Sequence, residues 1–187
     1  MILFLVVFCM LVALGFSIAA ALSDFKSMTI PNVYCLGIAL AFVPAYAADA
    51  LSGEGVEFFA SWQSHLLAAA IVFGITFALF GLRMIGAGDS KLCTAIALWV
   101  ATPGLAAFLF YMAITGAAVG IATKVLNTRR LVEHPKEGSW IARAQEGGAG
   151  VPYGIAICAG AVVSFFTLGY FSPAKLGLLA GITEAAP

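Results

Sequence analysis

The run from Ile2 to Leu22, 21 residues without a charged side chain, limits this chain more than any other feature. A bilayer core about 30 Å thick is crossed by about 20 apolar residues in a helix, so the run reads as a membrane span. Similar stretches cover Asn32–Ala48, His65–Leu82 and Val151–Phe171. Only 10% of the 187 residues are charged and mean hydropathy is +1.06, against about 25% charged in a soluble domain. The expectation is an all-α, polytopic membrane protein folded as one domain over residues 1–187. The formal net charge is zero, which gives no electrostatic reason to expect a nucleic-acid partner.

Between the spans the sequence is polar. Ser23–Thr29 reads as a turn, and Pro31 sits where a helix begins without losing a needed N–H donor. Residues 49–64, with Asp49, Gly53, Glu54, Gly55 and Glu57, read as an acidic loop whose Phe58, Phe59 and Trp62 sit at the interface, where aromatics collect. Residues 127–150 form a polar loop with Arg129, Arg130, Lys136 and Arg143, and Pro173–Pro187 reads as an interfacial tail. His65 and His134 read as interfacial and loop residues without metal-ligand spacing. Cys9, Cys35, Cys93 and Cys158 lie singly in apolar runs and read as packing residues, with neither a zinc site nor a disulfide framework.

Leu92–Leu126 holds 35 residues without an acidic group, about 52 Å as one helix, too long for a single span. Thr102-Pro103-Gly104 offers a break, giving a short helix at 91–101 and a longer one at 105–126. Six spans then result. With the N-terminus outside, Lys26, Arg83, Lys91, Lys124, Arg129, Arg130, Lys136 and Arg143 fall on the cytoplasmic side and only Lys175 outside, in accord with the positive-inside rule. Ala19-Ala20-Ala21 resembles a signal cleavage site, but the run before it is longer than a signal peptide's apolar region and has no basic start. It reads as a retained helix.

The same topology puts Asp24 and Asp89 on one face. Asp89 lies in Gly86-Ala87-Gly88-Asp89-Ser90-Lys91, between Lys91 and two glycines that admit unusual backbone geometry, and just before a helix whose N-terminal dipole favours negative charge. Ionisable residues at membrane depth are costly and usually serve a function. Two carboxyl groups held close cannot easily both ionise, so they hold one proton between them. The ionised member can then take a proton from water while the other polarises a peptide carbonyl, with no metal and no covalent intermediate. Position alone also allows Asp24 to be a turn residue or cap, and Lys91 to mark the cytoplasmic end of a span.

Asp24 followed by Ile30-Pro31-Asn32, then Gly86-Ala87-Gly88-Asp89-Ser90-Lys91-Leu92, then Pro152-Tyr153-Gly154, resembles in order the motifs of the type IV prepilin leader peptidases, membrane aspartic proteases with a GxGD motif. The small size resembles the tight-adherence (Flp pilus) branch. The resemblance implies that Asp24 and Asp89 form the catalytic dyad, that Gly86 and Gly88 shape its loop, and that Lys91, Asn32, Pro31, Pro152, Tyr153 and Gly154 support it, with no cofactor. It implies a prepilin or pseudopilin substrate, cut at the cytoplasmic face of a bacterial inner membrane just before its hydrophobic helix, with the lipid bilayer and pilus assembly machinery as surroundings. Larger members carry paired CxxC motifs and N-methylate the new pilin end; without those cysteines, peptidase activity without zinc or methylation is expected. Three rival readings are a preflagellin or other intramembrane GxGD protease, a small proton-coupled transporter using the same aspartates, and a non-catalytic assembly subunit.

Overall fold

The computed structural model describes residues 1–52, 57–129, 131–147 and 150–181, and every regular element among them is helical. Helices α1 (Ile2–Ser27), α2 (Asn32–Ala50), α3 (Trp62–Gly81) and α4 (Ala87–Thr128) are long and apolar enough to cross a membrane. Short α5 (Trp140–Gln145), α6 (Tyr153–Thr167) and α7 (Pro173–Leu179) follow. The bundle is assembled by α1 on α2 and α6, and by α4 on α2, α3 and α6. Its outer surface is rich in exposed Leu, Ile and Phe, including Phe8, Leu40 and Phe77, as expected where lipid rather than water is the solvent.

Helix α4 is two helices. Ala101 takes φ 53° and ψ −172°, which no helix accommodates, and Pro103 just beyond it has no N–H to donate. Thr102 is held across the break: its N–H and its hydroxyl both bond to the Ser64 hydroxyl, at 3.1 and 2.6 Å. Past the break the chain turns back on itself, for Cys93 Sγ lies 3.7 Å from Met112 Sδ. In a straight helix those residues would stand about 28 Å apart. The second half then runs against α6 through two glycines: a Cβ on Gly116 would lie 3.1 Å from the Tyr153 ring, and one on Gly160 would lie 2.8 Å from the Phe108 carbonyl oxygen. Close backbone approach at small residues is the usual means of helix association in a bilayer.

Several expectations change. Ser23–Ser27 is not a turn but the last helical stretch of α1; the Ser27 hydroxyl bonds back to the Ser23 carbonyl, and the chain leaves the helix only at Met28, whose φ is 55°. Polar residues extend a span rather than end it, because a helix needs no apolar face once it has left the bilayer. At the other end of the bundle, Phe58 and Phe59 do not sit at an interface but are 1% and 5% exposed. His65 is fully buried among Phe42, Tyr46 and Phe59. Asp49 belongs to α2 rather than to a loop, and the Gly53-Glu54-Gly55 part of that loop lies outside the described residues. The last long helix stops at Thr167, short of Phe171, with Gly169 at φ 70° allowing Tyr170 to turn inward and donate to the Trp99 carbonyl. The polar loop at 127–150 carries α5, whose Trp140 packs on Phe25 with ring centroids 5.4 Å apart; Arg130 lies outside the described residues. The tail forms α7 with Leu179 buried, while 182–187 lie outside the described residues.

Candidate active site

Four helix ends meet at one end of the bundle: the C-terminus of α1 and the N-termini of α2, α4 and α6. Each contributes a residue singled out by the sequence. Asp24 sits in the last turn of α1, 5% exposed, and its Oδ2 accepts the N–H of Gly154 at 2.8 Å. Gly154 is the second residue of α6, with Pro152 as its N-cap. The free N–H groups and positive dipole end of α6 therefore point at a carboxylate supplied by another helix. Only glycine permits this approach. A Cβ on Gly154 would stand 2.9 Å from Asp24 Cβ and 3.1 Å from its Oδ2.

Helix α4 begins at Ala87 rather than at 91, so Asp89 stands in its first turn instead of before it, and its Oδ2 accepts the N–H of Gly86, the N-cap residue, at 3.1 Å. Gly88 backs onto the loop that joins α1 to α2: a Cβ there would lie 3.0 Å from Ile30 Cβ. That absence of a side chain lets the loop carrying Ile30 and Pro31 press against the start of α4. Pro31 is the N-cap of α2 rather than its first residue. Asn32 follows it, and its Oδ1 accepts from Lys91 Nζ at 3.0 Å, tying α2 to α4. Lys91 thus reaches toward α2, not back to Asp89.

Asp24 and Asp89 line one cavity of about 330 Å³, with Met28, Ile30, Gly86 and Gly88 among its walls and Asn32 and Lys91 at its side. Among the described residues each carboxylate receives one backbone N–H on Oδ2, leaving Oδ1 for water or a ligand. Two acids so held can exchange protons with a water between them and with a carbonyl group placed against it. No group of three or more His, Cys, Asp and Glu side chains that could hold a metal occurs among the described residues. Tyr153 does not enter this cavity; its ring packs over Gly116.

Two further supports stand outside the site residues singled out in the sequence. Ser90, next to Asp89, is buried and shares a hydrogen bond of 2.8 Å with the Thr76 hydroxyl, anchoring the start of α4 to α3. The Arg143 guanidinium donates to the Lys26 carbonyl at 3.2 Å, fastening α5 over the end of α1. A threonine six residues before the end of the His65–Leu82 apolar run was the available signal for the first; the second joins residues too distant in sequence to leave one.

The model of the type IV leader peptidase family matches residues 11–121, a stretch that contains Asp24, Asn32 and the Gly86–Lys91 segment. No curated protein and no solved structure matches the chain.

Proposed function

The chain belongs to the type IV leader peptidase family, a family of aspartic prepilin peptidases, and from that premise we propose that Asp24 and Asp89 are the dyad that cuts the leader from Flp-type prepilins or pseudopilins. The observation that carries this reading is that two carboxylates from opposite parts of the sequence line one cavity, each with an oxygen free. One aspartate takes a proton from the attacking water as its oxygen adds to the scissile carbonyl carbon. The other gives its proton to the carbonyl oxygen. Collapse of the resulting diol breaks the C–N bond, with a proton passed to the departing amine, and the pair again holds one proton. The titration belongs to the pair rather than to either residue.

The leader is bound on the cytoplasmic side of a bacterial inner membrane. Support comes from Lys26, Arg83, Lys91 and Arg129, which all lie at the helix ends surrounding the dyad, as a cytoplasmic face requires. Asn32, Pro31, Lys91, Pro152 and Gly154 hold the helix ends in register, and Gly86 and Gly88 let the loop close. A proton-coupled transporter would place its acids near the bilayer centre between broken helices; here both lie at one end of the bundle.

The test is cleavage of a coexpressed Flp-type prepilin, followed by its change in mobility, with wild type, Asp24→Asn and Asp89→Asn at equal membrane abundance. Wild type should cut and both variants should leave the prepilin whole. Cutting at the wild-type rate by either variant would overturn the aspartic mechanism, and a prepilin untouched by wild type would overturn the substrate.

A further inference from the structure

A second cavity, about 510 Å³, adjoins the first. Three helices each give it one stripe: Leu36 and Ala39 from α2, Ala69 and Phe73 from α3, and Ala95 and Leu98 from α4. Helices α2 and α3 both pack on α4 but scarcely on each other. They come together only away from the dyad, where Phe42 and Tyr46 of α2 meet His65 of α3 at 4.8 and 5.6 Å between ring centroids. Toward the dyad they diverge, leaving a cleft floored by α4. Leu36 and Phe73 line it while 58% and 48% exposed.

The cleft borders the dyad cavity: Asn32 and Lys91 line both, and the bond from Lys91 Nζ to Asn32 Oδ1 stands between them. We propose that it seats the first two turns of the substrate's apolar helix, directly beyond the bond to be cut. This rests on the peptidase reading above. A peptide bond open to attack at Asp24 and Asp89 must lie in extended chain, whose free carbonyls need donors; the Asn32 amide and the Lys91 ammonium stand where that chain would pass. Beyond them the lining is almost wholly apolar, with Thr94 the exception and its hydroxyl already bonded to the Ser90 carbonyl. Along α2 the lined stretch runs from Asn32 to Ala39, about 10 Å or two helical turns. Ala39, Ala69 and Ala95 leave room for another helix to approach closely, which is how helices associate in lipid. An acyl chain is the competing occupant, and it has no use for the polar pair Asn32 and Lys91 at the border with the dyad cavity.

Wild type is first shown to cut a coexpressed prepilin; failure at this step strikes the peptidase reading, not the cleft alone. A photoreactive benzoylphenylalanine is then placed at Leu36 or Phe73 in the cleft, or at Leu11 or Phe110 on exposed faces elsewhere. Adducts with prepilin at 36 and 73 and none at 11 and 110 are expected. With a cutting wild type, no adduct in the cleft, adducts with lipid only, or equal adducts at all four positions overturn the proposal. A second measurement fills the cleft. Ala69→Trp should slow prepilin cleavage by about tenfold or more at equal abundance, while Ala70→Trp, on the exposed face beside it, should change it less than about twofold. Equal rates for the two variants count against the cleft.

Discussion

Asp24 and Asp49 look alike in sequence, each at the end of an apolar run, and both are buried, yet the two ends of the bundle use them differently. Asp49 gives both oxygens away: Oδ1 accepts from Phe58 N–H at 3.4 Å and Oδ2 from Phe59 N–H at 3.0 Å. Its carboxylate closes a loop and pulls two phenylalanines into the core around His65, Trp99 and Tyr170. Asp24 gives one oxygen to Gly154 N–H and keeps the other toward a cavity that a second carboxylate also lines. Burial alone therefore does not set the two acids apart; under the proposed mechanism, an unspent oxygen facing a second carboxylate does.

The sharpest way to break this contrast is to neutralise each aspartate in turn. Asp24→Asn and Asp89→Asn should lower prepilin cleavage by about 10²-fold to 10⁴-fold, the range of general acid–base contributions. Asp49→Asn keeps an acceptor for one N–H and should leave the cleavage rate within about threefold, provided the variant is compared at equal folded abundance. A loss of cleavage in Asp49→Asn as large as in Asp24→Asn would erase the distinction between the two ends.

The next largest effect is geometric. Gly154→Ala puts a carbon 2.9 Å from Asp24 Cβ, so the side chain or the start of α6 must move. Displacement of a catalytic group by about 1 Å costs on the order of 10²-fold in rate. Gly120→Ala serves as the control, because nothing lies within 4 Å of a Cβ there, and it should cut as wild type does. If both variants cleave alike, the contact between α6 and Asp24 does not position the acid.

How far each end could be read beforehand follows from the kind of contact that builds it. The glycines before Asp89 and the Ile30-Pro31-Asn32 motif act within a few residues of Asp89 and Asp24, so the meeting of these two acids at one end of the bundle was largely legible; their catalytic pairing is the proposal. The reversal in α4 was legible too, because 35 residues are too long for one span and Thr102-Pro103-Gly104 offers the break; the short helix expected at 91–101 ends where Ala101 leaves helical geometry. A proline alone would not have shown this, since Pro44 stands within an unbroken α2. The bond from Gly154 to Asp24 joins residues far apart in sequence, and Pro152-Tyr153-Gly154 marked one partner without indicating the other. The far end was misread almost entirely. Phe58 and Phe59 follow an acidic stretch and so resemble interfacial aromatics, and His65 stands at the edge of an apolar run. What draws the two phenylalanines in is the pair of oxygens of Asp49, and His65 is held by the Leu98 carbonyl, 2.7 Å from its Nδ1; no local pattern announces either.

Removing that carboxylate's grip gives a stability effect where the dyad variants give an activity effect. Asp49→Ala strands two buried N–H groups, and an unsatisfied buried donor costs about 1–3 kcal/mol. Thermal unfolding of the detergent-solubilised protein should therefore shift down for Asp49→Ala and stay near wild type for Asp89→Ala, the reverse of their order in cleavage. Equal shifts would show that Asp49 does not hold the loop.

The smallest effect concerns Lys175, which completes the same end. Its Nζ donates to the Phe58 carbonyl at 3.0 Å and stands 5.5 and 5.4 Å from the centroids of the Phe58 and Tyr170 rings. Burial pulls the ammonium below the usual lysine range, and the Asp49 charge offsets part of that. The two influences nearly balance in Lys175→Met. The variant loses a hydrogen bond and cation–π contacts worth about 0.5–1 kcal/mol at a site of this exposure, but it also relieves the partial desolvation of a charge, and methionine's flexible chain can cover the same rings. Stability should therefore fall by less than about 1 kcal/mol, with cleavage unchanged. A double variant with Asp49→Ala separates the terms: once the carboxylate is gone, the ammonium keeps its desolvation cost without the offsetting charge, so Lys175→Met should destabilise less in that background than alone. An equal loss in both backgrounds would mean that Asp49, through the Phe58 and Phe59 N–H groups, and Lys175, through the Phe58 carbonyl, hold the loop independently rather than as one electrostatic unit.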